Sequence, residues 1–282
     1  MIVKFICTIC IVLCSNLSVV AQTLKVVSFN IRYENNKDGI NGWNNRKKDL
    51  AQFLTDCQLD IMCMQEVVSS QLSFVKQSFP RYKCIGVGRE DGKTKGEFTP
   101  IFVDSSKFEI HDSGHFWLSD TLNKPGALGW DAKIPRIVTW VRVKHVTSNK
   151  TLVIINTHLD HLGVMARRKS VDMILDWCGY YIKREPVIIS GDFNDSPSSD
   201  AYKMMVKKNN HFVDTFVKAK KRSGVQYSYH RFGQLTDSLR KRIDYVFVNK
   251  KFKILKIEIP KESCINGYYL SDHNPVIVWL KL

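Results

Sequence analysis

The chain has 282 residues, 44% of them hydrophobic, and a formal net charge of +15. That length suits one large domain or two small ones, and the lack of internal repeats, low-complexity tracts and Gly-, Ser- or Pro-rich linkers favours one domain and argues against a repeat array. The basic charge suits a partner carrying phosphate, such as nucleic acid or an anionic lipid headgroup, but a solvated basic surface has the same composition, so charge alone names no substrate.

The N-terminus reads as a secretory leader. Lys4 gives a basic start, an apolar run follows from Phe5 to Leu13, and Val19-Val20-Ala21 supplies small residues for cleavage after Ala21. Ser15, Asn16 and Ser18 interrupt the run before it reaches the roughly 20 residues that a membrane-spanning helix needs. A lipid anchor at Cys14 is disfavoured by Leu13, which stands where a small residue is expected. The expectation is a leader over 1–21, a single domain over 22–282, and a secreted or periplasmic, monomeric protein with no obligate protein partner.

Apolar and β-branched runs then alternate with helical stripes. Leu24–Phe29 reads as a strand running into Asn30, and Leu50, Phe53, Leu54 and Cys57 fall at helical spacing. Asp60–Met64 is a second strand, ending in Gln65-Glu66, and Val68, Leu72, Val75 and Phe79 form a second stripe. From Lys83 to Val146 the pieces are strand-like with no clear helix, which predicts antiparallel pairing. Thr151–Ile155 ends in Asn156-Thr157-His158, and Val171, Ile174, Leu175, Cys178 and Ile182 make a third stripe. Val187–Ile189 runs through Ser190 into Gly191-Asp192-Phe193-Asn194. Arg242-Ile243-Asp244-Tyr245 opens the strand Ile243–Val248, and Ser271-Asp272-His273-Asn274-Pro275 precedes Val276–Leu280. Basic residues crowd Lys203 to Arg222 and Arg240 to Lys256. The pattern predicts an α/β (α+β) class with helices layered over two sheets.

Three of the eight cysteines, Cys7, Cys10 and Cys14, fall in the leader. Cys57, Cys63, Cys84, Cys178 and Cys264 form no CxxC pair, which argues against a zinc site. Cys57, Cys63 and Cys178 lie in apolar patterns and read as small core residues; one disulfide is allowed, with its pairing open.

The functional signal is the placement of amides, carboxylates and imidazoles at strand ends. A strand held by the core projects a rigid polar group into a cleft. One such junction is usually a turn; six of them, carrying the groups that metal-assisted hydrolysis requires, point to an active site.

Asn30, Gln65-Glu66, Thr157-His158, Gly191-Asp192-Phe193-Asn194, the stretch around Asp244, and Ser271-Asp272-His273 resemble, in order and spacing, the motifs of the endonuclease/exonuclease/phosphatase superfamily. The likeness covers nearly all of residues 22–282 and has the look of a secreted bacterial-type member. It implies a four-layer sandwich: two mixed, mostly antiparallel β-sheets packed face to face, with helices outside. It also implies a metal-dependent phosphoesterase. Glu66, a hard oxygen ligand, suits Mg²⁺, with Mn²⁺ left open, and the resemblance places Asn30 and Asp272 beside the ion. Asp192 would take a proton from the attacking water. Asn194, on the same side if the chain stays extended, would orient that water or donate to phosphate. His158 and His273 would meet phosphate oxygens, with Asp244 holding His273 protonated.

Substrate choice is less legible. AP endonucleases usually carry an acidic ligand two residues after the strand-end Asn, and this chain has Arg32 there, which argues against that branch. In the stretch from Phe116 to Arg136, Trp130 can stack on a base or sugar and Arg136 can grip a phosphate, whereas Trp117 reads as packed core. His161 either lines the pocket or caps the next helix. His111, His115, His145, His211 and His230 read as surface or structural. Three functions compete: hydrolysis of small soluble or lipid-derived phosphoesters, a secreted nuclease, and a non-catalytic binding protein on the same fold.

Overall fold

The computed structural model describes residues 23–207, 209, 211–261 and 266–282. The expected leader with Cys14, and also Cys264, lie outside the described residues. In chain order the first half holds β1 (Thr23–Asn30), α1 (Trp43–Cys57), β2 (Ile61–Gln65), α2 (Ser69–Ser78), β3 (Tyr82–Ile85), β4 (Ile101–Asp104), β5 (Phe108–Trp117) and β6 (Ile137–His145). The second half holds β7 (Thr151–His158), α3 (Val164–Ile182), β8 (Val187–Asp192), α4 (Asp200–Met205), β9 (Phe212–Asp214), α5 (Thr215–Lys218), β10 (Lys221–Gly224), β11 (Asp244–Asn249), β12 (Lys253–Ile259) and β13 (Val276–Lys281). The helix-free middle and its antiparallel strands, β3 to β6, match the expectation.

The strands form two mixed sheets, β10-β12-β13-β1-β2-β4-β3 and β5-β6-β7-β8-β11-β9. Parallel pairing is confined to β1–β2, β10–β12 and β7–β8. Successive strand side chains point to opposite faces, and here both faces are buried. Val26, Ile61, Cys63, Ile154, Ile188, Val246 and Val278 fill the layer between the sheets. Their neighbours Val27, Met62 and Met64 pack outward with Leu50 and Leu54 of α1 and Leu72 and Val75 of α2. On the other sheet, Val153, Ile155, Ile189 and Phe247 pack outward with Val171, Ile174 and Cys178 of α3. This is the expected four-layer sandwich. Cys57, Cys63, Cys84 and Cys178 are free thiols; Cys63 and Cys178 are buried, while Cys57 is only half-buried.

The inner face changes character along the strands. It is apolar from Val26, Ile61, Ile154 and Ile188, then becomes Ser28 and Asn30 on β1, Gln65 on β2, Asn156 and His158 on β7, and Ser190 and Asp192 on β8. All of these are buried. The ladders continue through this polar stretch, with Asn30 opposite Gln65 and His158 opposite Asp192. Strands therefore extend past the apolar runs, because a paired backbone does not need apolar side chains to stay extended.

Buried polar groups are costly unless satisfied, and here they bond across the sheets. Gln65 Nε2 donates to Asn156 Oδ1 at 2.7 Å, and Asn156 Nδ2 donates to the carbonyls of Met64 at 2.7 Å and Pro100 at 2.9 Å. Asn156→Ala strands these partners in a dry layer and is expected to cost about 2–4 kcal/mol. Urea unfolding measures this, and a loss below about 0.5 kcal/mol would show that the cross-sheet amides are dispensable.

Candidate active site

The polar ends of β1, β2, β7, β8 and β11 meet the loop that precedes β13. Asn30, the last residue of β1, donates from Nδ2 to Glu66 Oε1 and to Asp192 Oδ2, both at 3.0 Å, while its Oδ1 accepts the Arg32 N–H at 3.0 Å. A backbone N–H can only donate, so the orientation of this amide is fixed. Asn30 thus turns its amino group, not its oxygen, toward the carboxylates. In this arrangement it positions the carboxylates of Glu66 and Asp192 and offers them no oxygen.

Three of the ten described non-glycine residues with positive φ fall at this site. Arg32, Glu66 and Asn194 all have left-handed φ, at 56°, 58° and 50°. Non-glycine residues of this kind cost of order 1 kcal/mol or more each and cluster at functional sites. At Glu66 the turn brings Oε2 to the Tyr33 N–H at 3.1 Å. At Asn194 it overturns the expected extended conformation. The side chain reaches the site through the turn instead, and Asn194 N donates to Asp192 Oδ1 at 2.8 Å. Gly191 has a spacing reason: a Cβ there would lie 2.2 Å from the Thr157 carbonyl oxygen, so only glycine lets β8 run this close to β7.

The two site histidines are in opposite states. His273 Nδ1 lies 2.8 Å from Asp244 Oδ2, and its Nε2 is 3.8 Å from Asp192 Oδ2. Burial opposes its charge, but Asp244, then Asp192 and Asp272, hold its pKa well above the ordinary value. His158 is pushed well below, by burial first and then by the charges of Arg136 and Arg89. Asn194 Nδ2 donates to the Leu159 carbonyl at 3.0 Å, which fixes that amide too, and it also donates to His158 Nε2 at 2.9 Å. The proton of neutral His158 therefore sits on Nδ1. Burial, then the charge of Asp244, raises Asp192 to about 7, and burial, with Glu66 nearby, also raises Asp272.

A cation fits this set. One ligand atom each of Glu66, Asp192 and His273 lies within 4.8 Å of the others. Because His273 is held protonated, the available donors are carboxylate oxygens, and the donor chemistry is that of a hard divalent ion.

The remaining expected residues are placed as follows. Arg32 is forked onto Asp38 at 3.0 and 3.1 Å and stands 3.8 Å from Glu66, so it flanks that carboxylate at the edge of the site. Arg136 is buried, with Nε 3.5 Å from Asp160 and Nη2 3.2 Å from His161 Nδ1. His161 thus borders this corner. The turn into α3 is instead capped by Asp160, on Leu162 N and Gly163 N, and by Asp131, on Met165 N and Ala166 N. Trp130 lines a different cavity, against Phe116, Trp140 and Trp177. Trp117 is buried, donating to the Arg89 carbonyl at 2.6 Å. His145 and His230 are buried; His230 accepts the Gly233 N–H at 3.0 Å, a structural role as expected.

Sequence reasoning missed Arg89 and Glu97. They pair bidentately at 2.7 and 2.8 Å across a tight loop, and Glu97 comes 3.9 Å from His158 Nδ1. It also missed Ser228, whose Oγ accepts the N–H groups of Ile243 and Asp244 and so seats the carboxylate behind His273. The loop between β3 and β4 carried one signal, its glycines Gly86, Gly88, Gly92 and Gly96, which allow it to fold tightly.

Since the folded pKa of His273 is raised, the stabilisation from its charged form is fully present below the unfolded value of about 6.5 and fades as pH rises through the folded value. Asp244→Asn should therefore move the His273 titration down and cost about 3 kcal/mol near pH 6, with a smaller cost at high pH. NMR of the His273 Cε1–H resonance, with unfolding at two pH values, checks this; an unmoved titration would remove Asp244 as its cause.

The geometry agrees with known proteins. The family model described as "Endonuclease/Exonuclease/phosphatase family" matches residues 27–273. An endonuclease/exonuclease/phosphatase from Bacteroides vulgatus is 38% identical, with a TM-score of 0.89 over 93% of this chain and 99% of that one. A mannosyl-6-phosphatase from Bacteroides thetaiotaomicron is 34% identical, with a TM-score of 0.85 over 92% of this chain and 100% of that one. Protein angel of Drosophila melanogaster is 26% identical over 172 residues, 59% of this chain, and the match spans about half (48%) of that curated relative's length. Members of the family hydrolyse phosphoester bonds, and with its fold and its matched span in agreement, the chain belongs to the endonuclease/exonuclease/phosphatase family.

Proposed function

We propose that this protein is a Mg²⁺-dependent hydrolase of small phosphoesters, with monoesters of the sugar-phosphate type as the favoured class. The observation that carries the proposal is the convergence of Glu66, Asp192 and His273 within 4.8 Å. It joins a cation site, a buried base and a protonated imidazole at one point.

Glu66 and Asp272 would hold the ion, which when bound polarises the phosphoryl group and offsets its charge. Asp192 takes the proton of the attacking water. Its pKa near 7 suits a base that must accept a proton and later release it. Asn30 and the Asn194 N–H fix the two oxygens of that carboxylate, so it meets the water in one orientation. His273, kept protonated by Asp244, donates from Nε2 to a phosphoryl oxygen as charge builds there. His158 offers its Nδ1–H from the other side.

The choice of small substrates rests on two supports. The relative named a mannosyl-6-phosphatase shares 34% identity over nearly the full length of both chains. The basic run from Arg240 to Lys256 is also split by β11: Asp244 stands at the site end of the strand, and Lys250, Lys251 and Lys253 follow its far end. Those lysines do not form a continuous track beside the site, as a polymer backbone would require. The leader over 1–21 would place the reaction outside the cytoplasm.

EDTA should abolish hydrolysis of a generic monoester, and Mg²⁺ should restore it. Asp192→Asn should lower kcat by about 10²–10⁴-fold in a folded protein. Near-normal turnover in that variant would remove Asp192 as the base. Preferential, steeply salt-dependent cleavage of DNA would replace this reading with that of a nuclease.

A further inference from the structure

Beside the catalytic centre lies a corner built from Arg89, Glu97, Arg136, Asp160, His161 and the Nδ1 edge of His158. Its polar groups do not balance. Both Glu97 oxygens are taken by the Nη atoms of Arg89. Asp160 accepts the backbone N–H groups of Leu162, Gly163 and Lys133. The atoms left without a hydrogen-bond partner are Arg89 Nε, Arg136 Nε, Arg136 Nη1 and His158 Nδ1. Arg89, Arg136 and His158 are 8%, 3% and 5% exposed, so bulk water does not freely satisfy them.

Every one of these atoms is a donor. The guanidinium nitrogens have no other capacity, and the Asn194 amide puts the proton of neutral His158 on Nδ1. A buried donor without a partner costs about 1–3 kcal/mol; Arg136 Nε and His158 Nδ1 have only longer ion-pair contacts, 3.5 Å to Asp160 and 3.9 Å to Glu97, and Arg136 Nη1 and Arg89 Nε have none, so the corner calls for a shared acceptor. A group made only of acceptors, carrying negative charge, fits.

We propose that Arg89 and Arg136, with His158 Nδ1–H, form an oxyanion cradle for a terminal phosphoryl group, and that this cradle selects phosphomonoesters over diesters. This rests on the phosphoesterase reading above and sharpens it. A monoester presents three free oxygens and carries about −1.5 to −2 at pH 7, whereas in a diester one of those oxygens bears a second carbon group and cannot be enclosed by donors. The arginines add charge-assisted hydrogen bonds, Arg136 through Nη1, which lies on the edge of its guanidinium turned away from Asp160 and His161, and Arg89 through Nε. Selection therefore comes from this corner, and the Glu66–Asp192–His273 centre serves either ester.

The test uses inorganic phosphate as the probe. Calorimetry in EDTA should show phosphate binding to the wild-type protein without metal, and Arg136→Gln should weaken it about 10- to 100-fold. Arg89→Lys keeps a cation for Glu97 but removes the guanidinium and should also weaken it. With Mg²⁺, Arg136→Gln should lower kcat/KM for 4-nitrophenyl phosphate by a similar factor and change that for bis(4-nitrophenyl) phosphate less than about threefold. Wild-type protein that binds no phosphate in EDTA overturns the proposal without recourse to any variant. So does equal phosphate affinity in folded Arg136→Gln, or an equal fall on both esters. A protein that binds phosphate through these arginines yet hydrolyses neither ester would instead refute the phosphoesterase reading and leave the cradle standing.

Discussion

The site depends on one carboxamide that bonds to both halves of the sandwich. Asn30 ends β1 in one sheet, and from its single amino group it donates to Glu66 beyond β2 and to Asp192 at the end of β8 in the other sheet. The contact exists only if the sheets meet with their polar ends level, and the Gln65–Asn156 bond one layer deeper holds them there. Its consequence is electrostatic. Asn30 brings two carboxylates close in a nearly dry space but cannot neutralise them. The fold therefore carries a built-in demand for positive charge, which His273 meets on one side and a divalent ion would meet on the other.

Much of this was legible in the sequence, for a physical reason. Where both faces of a strand are buried, the run is apolar throughout, so a sudden Asn, Glu or Asp at its end stands out. Asn30, Glu66, His158, Asp192, Asp244 and His273 were found in this way, and the structure brings them together. The strand limits were less legible. The runs seemed to stop at Phe29, Met64, Ile155 and Ile189, whereas the ladders continue to Asn30, Gln65, His158 and Asp192. Side-chain polarity marks where the core ends, and backbone pairing marks where the strand ends; at an active site the two part company. Strands such as β3 and β10 were hidden because they lie at the sheet margins, half-buried or exposed, with no clear alternation.

Arg89 and Glu97 were illegible for a different reason. Nothing local distinguishes them from the many other charged residues of a strongly basic chain. They matter because a loop tightened by glycines carries them back over His158, and that contact is tertiary. Arg32 shows the converse. Its position two residues after Asn30 was informative, yet its guanidinium is committed to Asp38 and supports Glu66 from behind.

The two histidines show how one scaffold sets opposite protonation states within a single site. Both are buried, and burial alone would leave both neutral. His273 faces Asp244, whose own position is fixed by Ser228, and so it keeps its proton. His158 faces two arginines and the amide of Asn194, so it stays neutral with its one proton directed at the arginine corner. An imidazolium stabilises growing negative charge, whereas a neutral imidazole donates one directed hydrogen bond without adding charge. Placing one on each side of Asp192 sets a single positive charge beside that carboxylate. Two imidazolium ions would depress its pKa and weaken it as a base, and two neutral rings would leave it raised further by burial. Burial and the charge of Asp244 raise the Asp192 carboxyl, and the positive charge of His273 with the hydrogen bonds from Asn194 and Asn30 opposes them.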